Sequence, residues 1–426
     1  MLINKIFNSL NSLQYNGFFF LSPHLYSVGN CSEMLMFGLI KAKQENKKIF
    51  LLSPYDSRML FRKNICNNEL FLLESKYIYK QGFLISHLSK VMVTIMLLPS
   101  RVIDNVLNIF GNRLSERSVV PLVGINELFS SRYEFKDIFS WDAVYKYDWP
   151  AKINLDYDLS ITKSKQKICK DKMLNLGIGP ESWFVCLHVR ESGFRVDKNR
   201  REYRNSDILN YIPAIKEITK VGGIVVRMGD STMEHLPEIS NVIDYPFSKY
   251  KSELMDLYLI KRCRFYIGTD SGIMDTAKMF SKDTLITNMV QWLFAYPYRP
   301  RDRGIHKHVY SKLKGRFLTY SEILNSDWRM QALFGNIDDN YDLIENTPDD
   351  IKDSVLEYLT CQDDNSFCLS EDQVKVNKKR IKVAKEIYEN FKLKDDDEVL
   401  VKYRIASRVN SAMQGSICNS YLKKYI

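Results

Sequence analysis

The sequence predicts an α/β protein with two Rossmann-like domains, because apolar runs of strand length alternate with helical patterns along most of the chain. The chain has 426 residues, which is too long for one compact core and predicts two or three domains. Its hydrophobic content of 45% and charged content of 26% are ordinary for a globular protein and exclude disorder of the whole chain. We assign residues 1–165 and 166–335 to the two α/β domains and residues 336–426 to a helical tail.

The N-terminal domain carries a short version of this pattern. Gly17–Leu21 predicts a strand, Ser32–Lys43 an amphipathic helix and Lys48–Ser53 the next strand. A strand, a helix and a second strand at this spacing indicate a parallel layer. The pattern continues less clearly up to Tyr157.

The second domain has the clearer alternation. Its predicted strands are Trp183–Val189, Ile224–Met228, Arg264–Ile267 and Thr284–Thr287. Its predicted helices are Ser160–Leu176, Ser206–Val221, Ser252–Cys263 and Ile273–Phe280. Pro213 conflicts with the interior of the second helix, so it predicts a kink or a later start. In the tail, Thr347–Asp350 and Ser370–Gln373 have the composition of helix starts.

Charge and cysteine usage limit the class of protein. The net charge of +10 favours anionic partners. Eight scattered cysteines form no zinc spacing and predict reduced thiols. The sequence contains no P-loop, no GxGxxG fingerprint, no GxSxG elbow and no HExxH pattern. Phe83–Leu98 is the most apolar stretch but is shorter than a membrane span, so we predict a buried helix, with an interfacial helix as the alternative.

The most informative segment is Gly268–Gly272, GTDSG, which separates a predicted strand from a predicted helix start. A turn of this kind presents backbone N–H groups and hydroxyls at the N-terminus of a helix. These N–H groups lack partners within the helix and the helix dipole favours negative charge, so the turn predicts an anion site.

Polar side chains also follow two other predicted strands. His188, Arg190 and Glu191 follow one strand, and Arg227 and Asp230 end another. In an open α/β sheet, ligands bind at the carboxyl ends of the strands, where these residues and the turn would converge. An arginine suits a diphosphate because its planar fork donates two hydrogen bonds and stays charged.

Each of these residues also has an ordinary structural interpretation. His188 would then be a core histidine and Arg190 a member of a surface ion pair. Asp270 and Ser271 would cap a helix. For Asp230, a ribose ligand and a simple turn residue are equally consistent with the sequence.

Two basic runs, Arg195–Arg204 and Arg299–Arg316, extend the positive charge. The first is either a solvated loop or a loop that closes on the ligand. The second suits an anionic cleft, a membrane surface or nucleic acid, although it matches no nucleic-acid-binding module.

Taken together, five motifs resemble bacterial glycosyltransferases of the GT-B fold that build surface polysaccharides such as O-antigen and capsule. The motifs are LHVRESGF at Leu187–Phe194 with Arg204-Asn205, VVRMGD at Val225–Asp230, YIGTDSGIMDTA at Tyr266–Ala277, TNMVQW at Thr287–Trp292 and LTYSEIL at Leu318–Leu324. The first two are similar to fucosyltransferase-like enzymes and the third to heptosyltransferases. Asp275 stands where heptosyltransferases often have histidine.

The resemblance implies two Rossmann-like domains facing across a cleft, with the donor in the second domain, the acceptor in the first and the tail packing back across both. The implied donor-binding residues are His188, Arg190, Arg227, Asp230, Thr269, Asp270, Ser271 and Gly272. The implied candidates for the catalytic base are Glu191, Asp197 and His24, with Asp56 a further one.

The implied reaction needs no metal and no cofactor, because the nucleotide diphosphate sugar is a co-substrate. The acceptor would be a glycan or a lipid-linked glycan, and nucleic acid would not be a partner. The implied location is the cytoplasm, with the alternative of a peripheral contact with the inner membrane. Two other functions stay open: a nucleotide-sugar 2-epimerase of the same architecture, and a non-catalytic protein that binds nucleic acid or another anionic surface.

Overall fold

The computed structural model describes residues 17–21, 23, 27–53, 66–95, 138–139, 157–191, 202–290, 296–325, 339–391 and 413–425. The chain divides into two compact units. The first comprises Met1–Asp148 and Ile153–Gln166, and the second comprises Trp149–Lys152 and Lys167–Ile426. The described tail residues therefore belong to the second unit. The predicted packing of the tail across both domains stays a prediction.

The first unit contains a parallel sheet of strands β1 (Phe18–Leu21), β2 (Lys48–Leu51) and β3 (Ile138–Phe139), in the order β2-β1-β3. Helix α1 (Val28–Glu45) joins β1 to β2 and begins earlier than the sequence predicts. Gly38 brings α1 close to β1, because a Cβ at this position would lie 2.9 Å from the Leu21 side chain.

Helix α2 spans 83–95 in the first unit. The prediction of a buried helix for this segment is wrong over these residues. Phe83, Leu84 and Leu88 are exposed, whereas Val93 is buried. The last three residues of the predicted helix lie outside the described residues.

The second unit is built on a sheet of seven parallel strands, in the order β13-β9-β8-β7-β4-β5-β6. The strands are β4 (Phe184–His188), β5 (Ile224–Arg227), β6 (Val242–Asp244), β7 (Tyr266–Thr269), β8 (Thr284–Met289), β9 (Arg303–His306) and β13 (Ser416–Ile417). The helices between β4 and β8, with the one that precedes β4, are α3 (Lys163–Asn175), α4 (Ile212–Lys220), α5 (Glu253–Arg262) and α6 (Gly272–Met279).

The strand order confirms the predicted doubly wound sheet. From β4 the chain winds through β5 to β6 at one edge, then returns to β7 on the other side of β4 and continues through β8 and β9. The order reverses between β4 and β7. A ligand crevice forms outside the carboxyl ends of the strands at such a point.

Local signals explain where the helices begin. Pro213 occupies the first turn of α4, which starts after a 3₁₀ turn at Ile208–Tyr211, so the later start is the correct alternative. The Ser252 hydroxyl accepts a hydrogen bond from the Met255 amide and caps α5. Thr347 and Asp350 form a reciprocal capping box at the start of the tail helix described next.

The rest of the second unit supports this sheet. Strands β10 (His308–Ser311), β11 (Arg316–Phe317) and β12 (Tyr341–Ile344) form a small antiparallel sheet. The remaining helices are α7 (Tyr320–Asn325), α8 (Pro348–Asp363), α9 (Glu371–Phe391) and α10 (Asn419–Tyr425). Helix α8 packs against α4 and α10. None of the helices in the described ranges is both long and apolar enough to cross a bilayer.

Candidate functional site

The candidate site lies where β4 and β7 meet at the point of strand reversal. His188 ends β4 and pairs in register with Gly268 of β7. A Cβ on Gly268 would lie 2.1 Å from the His188 carbonyl oxygen, so only glycine allows this approach. The two strands therefore bring the HxR segment and the GTDSG turn together, as the sequence predicts.

A buried hydrogen-bond chain links the two strand ends. The His188 Nδ1 and the Ser271 hydroxyl lie 3.0 Å apart, and the Ser271 and Tyr266 hydroxyls lie 3.3 Å apart. Burial lowers the pKa of His188 to about 4, so its imidazole is neutral at pH 7. Ser271 precedes α6, yet its hydroxyl makes no capping bond to the helix. The N-terminal N–H groups of α6 thus lack the usual cap.

Arg190 is held from both sides of the crevice. Its backbone N–H donates to the Thr269 hydroxyl at 3.0 Å, and its Nε donates to the Asn205 Oδ1 at 3.0 Å. The Ser206 N–H donates to the Arg190 carbonyl at 3.0 Å. The segment 204–206 therefore lies across the ends of β4 and β7.

Arg204 is not among the predicted site residues, although it belongs to one of the five motifs given above. Its Nη2 donates to the Asp270 carbonyl at 2.6 Å and to the Asp270 Oδ1 at 2.9 Å. The Arg204 Nε and the Asp270 Oδ2 are buried and have no hydrogen-bond partner. One donor and one acceptor at this strand end are thus without a hydrogen-bond partner in the described part of the chain.

Lys307 is a second residue that sequence reasoning missed. It directly follows β9, and its Nζ donates to the Asn205 carbonyl at 2.6 Å. Burial lowers the pKa of Lys307, and Glu345 at 4.0 Å acts in the opposite direction. The signal that could have found it is its position just after a strand in a parallel sheet. Arg190, Arg204 and Lys307 together make this sheet edge cationic.

Arg227 has a different environment from the one predicted. Its side chain is 0% exposed, and its guanidinium donates to Glu191 at 2.6 Å, to Asp244 at 3.0 Å and to the Glu234 carbonyl. The other Glu191 oxygen accepts the Glu234 N–H at 3.0 Å. We therefore revise the predicted role of Arg227 from diphosphate contact to positioning of Glu191.

The remaining predicted residues are distributed as follows. Asp230 accepts from the Thr232 N–H at 2.9 Å and from its hydroxyl at 2.5 Å, which is the geometry of a turn residue. Gly272 is the first residue of α6. His24, Asp56 and Asp197 lie outside the described residues. Within the described part of the chain, no group of three or more His, Cys, Asp or Glu side chains could hold a metal ion.

The second basic run, Arg299–Arg316, contributes less free charge than its composition indicates. Arg299 pairs with Asp302 at 3.1 Å and with Asp283 at 3.4 Å. Arg301 pairs with Asp283 at 2.8 Å. Half of this run lies in β9, β10 and β11, so part of its charge belongs to the two sheets of the second unit.

The neutral state of His188 gives a testable pH dependence. An unfolded histidine has a pKa near 6.5, so the unfolded chain binds a proton that His188 in the folded chain does not bind until about pH 4. Stability is therefore lost as pH falls from 6.5 towards 4. Replacing His188 with glutamine should reduce the loss of unfolding free energy between pH 7 and pH 5 by about 2 kcal/mol.

Chemical denaturation of both proteins at several pH values measures this difference. His306, whose pKa burial also lowers to about 4, is unchanged in the variant and cancels in the comparison. Asp275 cancels too; burial raises its pKa to about 6, so it acts in the opposite direction, losing stability as pH rises. Identical pH profiles for the two proteins would contradict the buried neutral state of His188.

Among the solved structures that resemble this chain are two glycosyltransferases. The crystal structure of the glycosyl transferase family 9 protein from Veillonella parvula DSM 2008 is 12% identical, with a TM-score of 0.34 over 63% of this chain and 79% of its own. The E. coli ADP-heptose LPS heptosyltransferase II is also 12% identical, with a TM-score of 0.32 over 63% of this chain and 83% of its own. No protein-family model matches the chain. A comparison with curated proteins finds no match.

Proposed function

We propose that this chain is a glycosyltransferase of the GT-B type. It would transfer a sugar from a nucleotide diphosphate sugar to a glycan or lipid-linked acceptor in the synthesis of bacterial surface polysaccharide. The observation that carries the proposal is the cationic cluster at the point of strand reversal, where Arg190, Arg204 and Lys307 converge on Asn205 and Asp270. The weak structural likenesses play no part in it.

The chemistry of sugar transfer matches this arrangement. As the bond to the sugar breaks, negative charge grows on the leaving diphosphate, and preorganised cations and dipoles stabilise it. Arg190, the hydroxyl of Thr269 and the first N–H groups of α6 would supply this stabilisation. The neutral His188 would fix Ser271 without adding charge. The free Oδ2 of Asp270 would accept a hydroxyl of the donor.

The catalytic base remains a prediction among several residues. Glu191 is the less suitable candidate, because Arg227 and the Glu234 N–H occupy its two oxygens. Asp197 and His24 are the others. Arg227 acts in this proposal by positioning Glu191. The proposed reaction uses no metal.

Binding of nucleoside diphosphates tests the donor site. Replacing Arg190 with alanine removes a charged hydrogen-bond donor worth about 1.5–3 kcal/mol, so the affinity should fall about 10- to 100-fold by calorimetry. Arg316→Ala is the matched control, because Arg316 is exposed on β11 and pairs with Glu322. It should leave the affinity unchanged. Equal affinities for the wild type and Arg190→Ala would sink the assignment.

The donor can be identified by a thermal-shift screen of nucleoside diphosphates and nucleotide sugars, since a ligand that binds only the folded state raises the Tm. Incubation of the best donor without an acceptor then separates two enzymatic outcomes. Transfer should require the acceptor, whereas epimerised product or release of free nucleotide in its absence would indicate a 2-epimerase.

A further inference from the structure

Helix α2 exposes its large apolar side chains. Phe83 is 90% exposed, Leu84 67%, Ile85 43%, Leu88 58% and Ile95 59%. Isolated exposed apolar residues are common, but five within the 13 described residues of one helix form an extended surface. Such a surface marks an interaction site.

The buried side of the same helix is partly polar. Ser89 and Thr94 are buried together with Val93. The Ser89 hydroxyl bonds to Gln81 at 3.1 Å and to the Ser86 carbonyl at 3.0 Å, and the Thr94 hydroxyl donates to the Lys90 carbonyl at 2.7 Å. A helix that only closed a protein core would place its hydroxyls outward and its leucines inward. The polarity of α2 is the reverse, so its outer face is suited to an apolar phase.

The charged residues of the sequence segment that contains α2 are basic. Between Ser75 and Arg101 the sequence contains Lys76, Lys80 and Lys90 but no Asp or Glu. The Lys80 side chain is 88% exposed and lies 3.3 Å from Glu74, just before this segment. An apolar helix face bordered by lysines is the composition that binds the surface of an anionic bilayer.

We propose that α2 is an interfacial helix that inserts Phe83, Leu84 and Leu88 into the surface of an anionic lipid bilayer, with Lys76 and Lys80 on the headgroups. The 13 described residues of α2 are fewer than the ~20 that a bilayer span requires. A second copy of the chain is the less suitable occupant, because a two-fold contact would bring like charges together. The inference does not rest on the donor chemistry, and it gives the proposed enzyme a specific membrane-binding surface.

Vesicle sedimentation tests the inference on the full chain. The wild type should bind vesicles of phosphatidylcholine with 30% phosphatidylglycerol and not vesicles of phosphatidylcholine alone. The variant Phe83→Gln/Leu88→Gln should bind the anionic vesicles about tenfold more weakly than the wild type, since two apolar side chains no longer enter the bilayer. Ile168→Gln/Leu174→Gln, which changes two exposed apolar residues on α3, is the control and should bind like the wild type.

The charge contribution has its own variant. Lys76→Gln/Lys80→Gln should weaken binding to anionic vesicles several-fold, and added salt should reproduce this loss in the wild type. Thermal unfolding of every variant should match that of the wild type, because all the changed side chains are exposed. Equal vesicle binding by Phe83→Gln/Leu88→Gln and the wild type would overturn the proposal, as would equal binding to neutral and anionic vesicles.

Two further measurements test whether another part of this chain or a second copy of it, instead of a bilayer, covers the exposed face of α2. The added fluorescence of Phe83→Trp should be that of a water-exposed indole without lipid and should shift to the blue with anionic vesicles. An indole already shielded without lipid would mean that another part of this chain covers α2, and the proposal would fail. It would also fail if light scattering showed a wild-type dimer that Phe83→Gln/Leu88→Gln dissociates.

Discussion

Replacing Arg227 with methionine is expected to lower the free energy of unfolding by about 3–5 kcal/mol. The arginine is 0% exposed, and its guanidinium pairs with Glu191 at 2.6 Å and with Asp244 at 3.0 Å. Methionine fills most of the same volume but leaves two carboxylates without their cation. The expected loss is dominated by this uncompensated charge and only partly by packing.

Denaturant unfolding of the wild type and two variants measures this effect. Arg316→Met is the matched control, because Arg316 is exposed and its pair with Glu322 should contribute no more than about 1 kcal/mol. Neutralising the carboxylates as well, in Arg227→Met/Glu191→Gln/Asp244→Asn, should recover part of the lost stability. A loss below about 1 kcal/mol in Arg227→Met would contradict the buried ion pairs.

The variant Arg227→Met also tests whether Arg227 positions Glu191 or contacts the ligand directly. Arg190→Ala should weaken nucleotide binding with little loss of stability, because Arg190 is only partly buried whereas Arg227 is fully buried. Arg227→Met should lose stability first, and any loss of affinity should follow from the displaced Glu191. Equal stability with abolished binding would instead restore Arg227 to the diphosphate contact that the sequence predicts.

The sequence predicted the central sheet because its strands carry continuous apolar runs. Residues of β4 such as Phe184, Val185 and Leu187 are buried on both faces, and a near-continuous apolar run is typical of such a strand. Strands β9 and β13 were not predicted, because they are short and partly polar. In β9, Arg303 is buried and donates to the carbonyls of Pro300 and Phe367. The sequence shows that Arg303 is charged, but it does not show which carbonyl oxygens accept the hydrogen bonds of its guanidinium.

The part of the site that lies at neighbouring strand ends could be predicted from the sequence. The sequence brought His188, Arg190 and the GTDSG turn together, because topology alone places these residues at one edge. The sequence could not distinguish the role of Arg190 from that of Arg227, because both arginines lie at the ends of apolar strands and differ only in their tertiary partners. Lys307 and Arg204 were missed for the same reason, since their partner Asn205 and acceptor Asp270 lie far away in sequence.

Replacing Gly268 with alanine is the second large effect that we expect. The new Cβ would lie 2.1 Å from the His188 carbonyl oxygen and 2.8 Å from the Tyr266 hydroxyl. The carbonyl belongs to the backbone of β4, so it cannot turn aside as a flexible side chain would. Relief of the clash requires β4 and β7 to separate where they pair in register. Overpacking costs about 1–3 kcal/mol when side chains yield, and a backbone clash should reach or exceed the upper end.

The separation should also damage the site, because His188 and Ser271 lie on opposite sides of the clash and share a hydrogen bond of 3.0 Å. Gly268→Ala should therefore lower the Tm and weaken nucleotide binding together. Gly82→Ala is the control, since a Cβ at Gly82 would meet no atom within 4 Å. Wild-type Tm and affinity in Gly268→Ala would show that the two strands do not approach this closely. A lowered Tm with full affinity would instead place the nucleotide away from the junction of β4 and β7.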